Sequence, residues 1–283
     1  MKAAAHLRGT LRVRLMLAWA RLRRVARSKN VRAVGAAVLT LALLTSLRAY
    51  DPRIITELKE RTFDAYQRLK PRTYQDLPVR IVDIDEASIA EYGQWPWPRT
   101  RLAALTRRLA ELGAGVIAYD VIFSEPDRTT PSRLANDLKD SGTPDIDLTM
   151  KLLGSLPDHD RAFADAIGKA SVVLGFAASN AVNDKRPPVR AGLAFVGATP
   201  TKVLAPFRGT VSSLPILNDA AAGIGGINLS SRDRAGIVRR VPMLLSDGTS
   251  IYPGLAIEAL RVAQGQKGII VRGTGSSGDR DTG

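Results

Sequence analysis

The chain has 283 residues, of which 45% are hydrophobic and 24% charged, so it can bury the core of one large globular domain or two small ones. It contains no cysteine, which excludes disulfides, thiolate metal sites and a cysteine nucleophile. The formal net charge is +14, but residues 1–50 hold eleven of the lysines and arginines and no acid, which leaves 30 bases and 27 acids in the rest of the chain. The basic excess therefore belongs to an N-terminal tail, and it argues against a nucleic-acid-binding body.

An apolar segment follows the basic tail. Ala33–Leu47 contains no charged residue and lies between Arg32 and Arg48. As a helix it would be about 22 Å long, and it matches the thickness of a hydrocarbon core only if flanking residues extend the span to 31–50. We interpret residues 31–50 as a transmembrane anchor. A signal peptide and a buried soluble helix are the alternatives that remain open.

The charge around this segment predicts its orientation. All eleven bases of residues 1–50 lie on its N-terminal side or at its borders, so the positive-inside rule places residues 1–30 in the cytoplasm and the chain from residue 51 outside. Apolar residues in the tail recur near helical spacing. This pattern favours an amphipathic helix on anionic membrane lipid over a nucleic-acid-binding arm.

Beyond the anchor, helical and strand patterns alternate. A short helix is predicted at Glu57–Leu69, followed by an alternating strand at Val79–Asp85. An amphipathic helix at Arg101–Leu112 has Gly113 as its predicted C-terminal cap. The nearly continuous apolar run Gly115–Phe123 is typical of a strand buried in a parallel sheet. Strand, helix and strand together predict a right-handed crossover unit.

The second half of the chain is less regular. Loops are predicted at Ser124–Pro157 and Asn180–Gly209, the first with an ordered stretch at Leu148–Leu153. The other predicted elements are a helix at Asp160–Ala170, a strand at Ser171–Ser179, strands or a hairpin around the turn Ser230–Gly236, and a helix at Tyr252–Ala263. The predicted fold class is α/β: a mixed, largely parallel sheet flanked by helices and preceded by one N-terminal transmembrane helix.

Three aspartates are predicted to meet at one edge of the sheet. Asp83 and Asp85 are two residues apart in the predicted first strand, so they share a face, and Asp120 lies on the neighbouring strand. Ligands of open α/β sheets bind beyond the carboxyl ends of the strands, so we predict that these three residues bind a ligand, either a divalent cation or a polar organic molecule. The alternative is structural: Asp83 pairs with Arg99 in the core and Asp85 caps the next helix.

The turn Trp95-Pro96-Trp97-Pro98 adds two aromatic side chains. Each proline restricts the residue before it to extended conformations, so both tryptophans are held rigidly. A stiff lid over the crevice is the structural interpretation, and an aromatic platform for a ligand is the functional one. Arg99 stands at the start of the next helix, where backbone donors favour an anion. Trp95, Trp97 and Arg99 therefore complete the predicted ligand-binding set. No cofactor, no metal site separate from this set and no catalytic residue is predicted.

Two ordered motifs resemble the CHASE2 domain family. The first begins VRIVDIDEASIAEYGQWPWPR and continues through a helix to YDVIFSEPD, and the second is GIGGINLSSRDRAGIVRRVPMLL. The resemblance covers roughly residues 51–265. It implies the extracytoplasmic sensor region of a bacterial receptor in the inner membrane. With it, the predicted organisation becomes a basic cytoplasmic tail (1–30), an anchor (31–50), a sensor domain (51–265) and a glycine-rich tail (266–283).

The resemblance also implies an output. CHASE2 domains usually continue into a second half, three membrane helices and a cytoplasmic module, commonly a class III adenylate or guanylate cyclase, a diguanylate cyclase or a kinase. The chain resembles the front of such a receptor, ending before the output. Since these modules work as dimers, a homodimer is expected. The alternative functions are an anchored binding protein without output and a carboxylate-dependent hydrolase that uses Asp83, Asp85 and Asp120.

Overall fold

The computed structural model describes residues 29–50, 52–140, 147–229 and 237–273. The chain divides into two compact units, Met1–Val82 and Asp83–Gly283. The predicted turn at Ser230–Gly236 and most of the two predicted tails lie outside the described residues. The two units are described separately below.

The described residues of the first unit, 29–50 and 52–82, form two helices, α1 (Lys29–Tyr50) and α2 (Arg53–Leu69). Within α1, Ala33–Tyr50 is long and apolar enough to cross a membrane, and none of it is buried. A buried soluble helix does not fit this exposure, whereas a membrane anchor and a signal sequence both do. Pro52 separates the two helices and caps α2, whose first backbone bonds run from the Ile55 and Thr56 amides to the Pro52 carbonyl (2.9 and 3.1 Å).

The second unit is a mixed α/β structure. Its helices are α3 (Glu86–Tyr92), α4 (Arg99–Glu111), α5 (Pro131–Asp140), α6 (Asp147–Gly154), α7 (His159–Gly168), α8 (Pro215–Ala220) and α9 (Leu255–Ala263). Its strands are β1 (Ile117–Tyr119), β2 (Val172–Ser179), β3 (Gly192–Val196), β4 (Gly209–Val211), β5 (Gly223–Gly226), β6 (Leu244–Ser246), β7 (Ile251–Pro253) and β8 (Gly268–Arg272).

Strand β2 is the centre of the main sheet. It pairs in parallel with β1 (Ile117 opposite Val172) and with β5 (Leu174 opposite Ile224). Its last residues pair antiparallel with β4. Two smaller sheets accompany it, a parallel pair of β3 with β8 and an antiparallel hairpin of β6 and β7. The predicted α/β class is thus confirmed in its coarse form, as small mixed sheets with helices.

The hydrophobic core forms where helices cover β2. Val172, Val173, Leu174 and Phe176 of this strand are fully buried. Leu102 of α4 and Phe163 of α7 join the same core cluster. Burial of each such side chain contributes on the order of 1.5–3 kcal/mol, so β2 and the helices packed around it are the stable centre of the unit.

Several predicted elements are confirmed with shifted bounds. The helices predicted at Arg101–Leu112 and Asp160–Ala170 are α4 and α7, and the strand predicted at Ser171–Ser179 is β2. Gly113 follows the end of α4 with φ +87°, as a glycine cap requires. The ordered stretch expected at Leu148–Leu153 is part of α6.

Other predicted elements differ from the structure. Val79–Asp85 forms no strand in the described chain, and Ile81 is 91% exposed, so the crossover unit that depended on this strand is not formed. Alternating apolar residues indicate a strand only when a neighbouring strand accepts its hydrogen bonds. Only Ile117–Tyr119 of the run Gly115–Phe123 is a strand, and Ala118 is exposed. The two predicted long loops contain α5, α6 and β3.

Strand β5 approaches α9 closely at Gly225. A Cβ atom added there would lie 2.5 Å from the Leu255 Cα and 2.8 Å from its amide nitrogen. Because backbone atoms cannot move aside cheaply, Gly225→Ala should lower the free energy of unfolding by about 2 kcal/mol or more. Gly168→Ala is the matched control, since its nearest neighbour would be the Ala220 Cβ at 4.0 Å. Urea unfolding followed by tryptophan fluorescence checks both variants, and equal stabilities would contradict this account.

The turn between β6 and β7 predicts an acid-dependent stability. Asp247 is largely buried, which on its own would raise its pKa. Hydrogen bonds from the Ser250 and Thr249 amides and from the Thr249 and Tyr252 hydroxyls outweigh burial and lower the pKa to about 2. A folded-state pKa below the unfolded value of 3.8 stabilises the fold above about pH 4, and that stability is lost as the pH falls through 3.8 towards 2.

Asp247→Asn should therefore lower the free energy of unfolding by about 2 kcal/mol at neutral pH, and the deficit should shrink below pH 4. Asp219→Asn is the control, because Asp219 is 75% exposed. Urea unfolding of wild type and both variants at several pH values between 7 and 2.5 measures the effect. A deficit for Asp247→Asn that is independent of pH would contradict the assignment.

Candidate functional site

The Trp-Pro turn connects α3 to α4. Gly93 caps α3 with φ +89°, a conformation that favours glycine, and the Trp95–Pro96 peptide bond is cis. The indole Nε1 of Trp97 donates to the Gly93 carbonyl oxygen (2.7 Å), and its ring meets that of Trp95 edge to face at 5.9 Å. Trp97 is buried in the core cluster, so the turn is anchored by a tryptophan that faces inward.

Arg99, the first residue of α4, is buried immediately after this turn. Its Nε donates to the Asp160 Oδ1 (3.3 Å) and its Nη2 donates to the Glu125 carbonyl oxygen (3.1 Å). The guanidinium carbon lies 4.5 Å from the centre of the Phe123 ring. Arg99 is therefore satisfied by a carboxylate, a carbonyl and an aromatic face, all of them supplied by chain segments that follow α4.

Two buried carboxylates complete what we call the Arg99 cluster: Arg99, Asp127, His159 and Asp160. Asp127 accepts a hydrogen bond from the backbone amide of Arg99 (2.7 Å), and its own amide donates to the Asp160 Oδ2 (2.9 Å). His159 Nδ1 lies 3.2 Å from the Asp127 Oδ2. The cluster therefore joins the start of α4, the loop after β1 and the start of α7.

The electrostatics of the Arg99 cluster favour the ionised form of Asp127. Burial is the largest influence and would raise the pKa of this carboxyl. The hydrogen bonds from the Arg99 amide, from the Thr129 amide and hydroxyl (both 2.8 Å) and from His159 outweigh it, so the pKa of Asp127 is lowered. Asp160 and Arg99 expose only 9% of their side chains, so each charge depends on the other for compensation.

The six predicted ligand-binding residues separate into a buried and an accessible group. Trp97 and Arg99 are buried, Trp95 is half-buried against the core, and Asp83, Asp85 and Asp120 are exposed. The structure thus brings the tryptophans and Arg99 together.

The three carboxylates are part of no group of acidic or histidine side chains that could hold a metal among the described residues. The convergence expected for Asp83, Asp85 and Asp120 depended on the strand Val79–Asp85, which is not formed.

Of the two structural roles expected for Asp83 and Asp85, the structure shows the one expected for Asp85. Asp85 caps α3, accepting from the Ser88 amide (2.9 Å) and hydroxyl (2.7 Å), and these bonds lower its pKa. The predicted pair of Asp83 with Arg99 is wrong, because Arg99 pairs with Asp160. Sequence periodicity contained no signal for that choice, since the two residues are 61 positions apart.

Sequence reasoning missed three members of the Arg99 cluster as site residues. Asp127 ends the YDVIFSEPD motif, so a signal for it was present in the motif itself. Asp160 and His159 open α7 and had only the weaker signal of polar residues at the start of a predicted helix. With its carboxylates taken up by internal hydrogen bonds, the cluster can hold three segments in register.

The first of the two motifs that resembled a known family supplies Arg99 and Asp127 to the Arg99 cluster. A comparison with protein-family models matches residues 36–280 to the CHASE2 domain. The chain belongs to the CHASE2 domain family. CHASE2 domains are extracytoplasmic sensors, so the matched region is an extracytoplasmic sensor domain. Searches of curated proteins and of solved structures returned no match. The match begins within α1, so this CHASE2 chain carries its apolar helix as part of the matched region.

The Arg99 cluster predicts a large loss of stability when one charge is removed. Asp160→Asn leaves the buried Arg99 without a counter-charge, so the free energy of unfolding should fall by about 3 kcal/mol. The control is Asp165→Asn on the same helix, where the side chain is exposed and the change should stay within about 0.5 kcal/mol. Urea unfolding followed by tryptophan fluorescence measures both. Similar small effects for both variants would show that the Arg99 pair does not hold the turn.

Proposed function

We propose that this CHASE2 chain is the signal-sensing region of a bacterial membrane receptor and that, in the complete protein, it controls a class III adenylate or guanylate cyclase. The observation that carries the proposal is the direct connection of an exposed apolar helix, α1, to a chain that belongs to an extracytoplasmic sensor family. Helix α1 has 22 residues and is about 33 Å long. Its exposed apolar stretch, Ala33–Tyr50, has 18 residues and is long and apolar enough to cross a membrane. The choice of a cyclase rests on the family's usual outputs.

Charge supports the orientation that this function needs. Residues 1–32 contain ten lysines and arginines and no acid, so the N-terminal tail would remain in the cytoplasm and the sensor would lie in the periplasm or outside the cell. In this arrangement α1 is a membrane anchor and not a cleaved signal sequence. The basic tail would contact anionic lipid headgroups.

The predicted ligand residues differ in solvent exposure, which supports two different roles for them. Asp83, Asp85 and Asp120 are exposed and Trp95 is partly so, which makes these four the proposed contacts for a polar ligand or an extracytoplasmic protein. Trp97 and Arg99 are buried and would influence binding through the position of the turn. Arg101 adds a cation beside the turn, 5.6 Å from the Trp97 ring centre and 5.7 Å from that of Tyr92.

Signal transmission would require two conformations with different ligand affinities. A ligand shifts such an equilibrium only by its difference in affinity between the two states. We propose a homodimer as the signalling unit, since cyclases of this class work as dimers. The hydrolase alternative needs Asp83, Asp85 and Asp120 to converge, and the strand Val79–Asp85 that was expected to bring them together is not formed in the described chain.

The proposal is tested by reading the gene in its native source beyond codon 283 and expressing the complete product in a host that lacks its own adenylate cyclase. We expect a frame that continues into membrane spans and a cyclase module, and membranes that form cyclic AMP or cyclic GMP. A diguanylate cyclase or kinase module would overturn the cyclase assignment and keep the sensor. A stop codon directly after Gly283 would contradict signal transduction and leave an anchored binding protein.

A further inference from the structure

Helix α2 (Arg53–Leu69) exposes its apolar side. Its largest apolar side chains are mostly accessible, with Leu58 61% and Leu69 80% exposed. The full set of exposed large apolar residues on this helix is Ile54, Ile55, Leu58, Phe63, Tyr66 and Leu69. A helix in contact with water on one side normally turns its apolar stripe inward, so this arrangement calls for a partner that lies outside the described residues.

Five of these six exposed residues form one continuous arc, and Phe63 lies about 60° beyond it. At 3.6 residues per turn, Ile54, Leu58, Leu69, Ile55 and Tyr66 fall within about 120° of the helix circumference. Ala65 and Thr62 fall in the same arc, and no charged residue does. The opposite side is polar: Glu60, in its centre, is buried. The accessible side of α2 is thus its apolar side.

The charges on α2 are sorted around this arc. Arg61 and Arg68 border it on one side and Lys59 borders it on the other. The remaining charged positions of α2 lie outside the arc, towards the opposite side: Arg53, Glu57, Glu60 and Asp64. Lysine and arginine side chains at such borders can extend their aliphatic stems along an apolar phase while their charges reach lipid phosphates. Three bases at the borders of the arc and a mostly acidic opposite side complement a lipid headgroup layer.

The chain geometry brings α2 to that layer. Helix α1 ends at Tyr50 and α2 begins at Arg53, so at most about 11 Å of chain separates them. Pro52, with φ −57° and ψ 145°, is extended and prevents α1 from continuing as a straight helix. If α1 crosses the membrane, α2 starts at the membrane surface and is free to change direction there.

We propose that α2 lies in the outer surface of the membrane, with the arc of Ile54, Leu58, Leu69, Ile55 and Tyr66 in the boundary between headgroups and acyl chains. Insertion to a depth of about 5–10 Å would cover the whole arc. The inference rests on the anchor of the proposed function. It identifies α2 as the segment through which the bilayer holds the start of the sensor.

The chain's lack of cysteine makes a direct test simple. Three single-cysteine variants of the full chain are labelled with an environment-sensitive fluorophore and reconstituted into vesicles of phosphatidylcholine and phosphatidylglycerol. Leu58→Cys reports on the arc, Gln67→Cys reports on the opposite side of α2, and Leu41→Cys reports on the centre of α1. Spin-labelled lipids quench probes in the acyl region, and iodide quenches probes in water.

We expect the probe at position 58 to be quenched by spin labels close to the headgroups at least about twofold more strongly than the probe at position 67, with the reverse order for iodide. Replacing Arg61 and Arg68 with glutamine should reduce the quenching at position 58 in anionic vesicles.

Equal quenching of positions 58 and 67, with position 41 still quenched by deep spin labels, would overturn the surface helix alone. Loss of deep quenching at position 41 would remove the anchor and the proposed function with it. Efficient disulfide cross-linking of unlabelled Leu58→Cys chains would assign the arc to a second copy of the chain and also overturn the inference.

Discussion

A buried arginine is the constraint on which the sensor unit depends. Arg99 has lost its water, and a guanidinium in that position costs several kcal/mol unless its charge and donors are met by fixed partners. Asp160, the Glu125 carbonyl and the Phe123 ring supply them, and Asp127 holds the Arg99 backbone amide. The partners come from the loop after β1 and from α7, so the positions of both are coupled to the Trp-Pro turn.

This coupling defines how a ligand could act on the domain. The accessible aspartates and Trp95 lie on segments that lead into or out of the buried cluster. Under the proposed function, a ligand bound there would act on α4 and α7 through Arg99. Packed interiors respond to such pressure by switching between discrete arrangements and not by gradual deformation. The buried pair of Arg99 and Asp160 therefore keeps one arrangement rigid. Separating the two charges to reach another arrangement would cost free energy.

Short-range sequence patterns predicted the helices well. They did not predict which strands pair or which charged side chains meet in the core. The spacing of Leu102, Leu105 and Leu109 and the glycine at 113 were sufficient for α4, since periodicity and capping act within a few residues. The strand at Val79–Asp85 was predicted from alternation alone, but alternation does not supply a hydrogen-bonding neighbour. The pair of Arg99 with Asp160 depends on how α4 and α7 pack, and only Asp127, inside a recognisable motif, could have been selected from the sequence. The predicted cap at Asp85 is correct because its partner, Ser88, is three residues away.

In the proposed topology, α1 separates a cytoplasmic tail from a sensor outside the membrane. The most direct measurement places single cysteines at Ala5 and Lys151 of the full chain, which has none of its own, and labels spheroplasts with a membrane-impermeant maleimide. We expect labelling of the Lys151→Cys chain in intact spheroplasts and of the Ala5→Cys chain only after lysis. Labelling in the reverse order, or of both positions only after lysis, would contradict it.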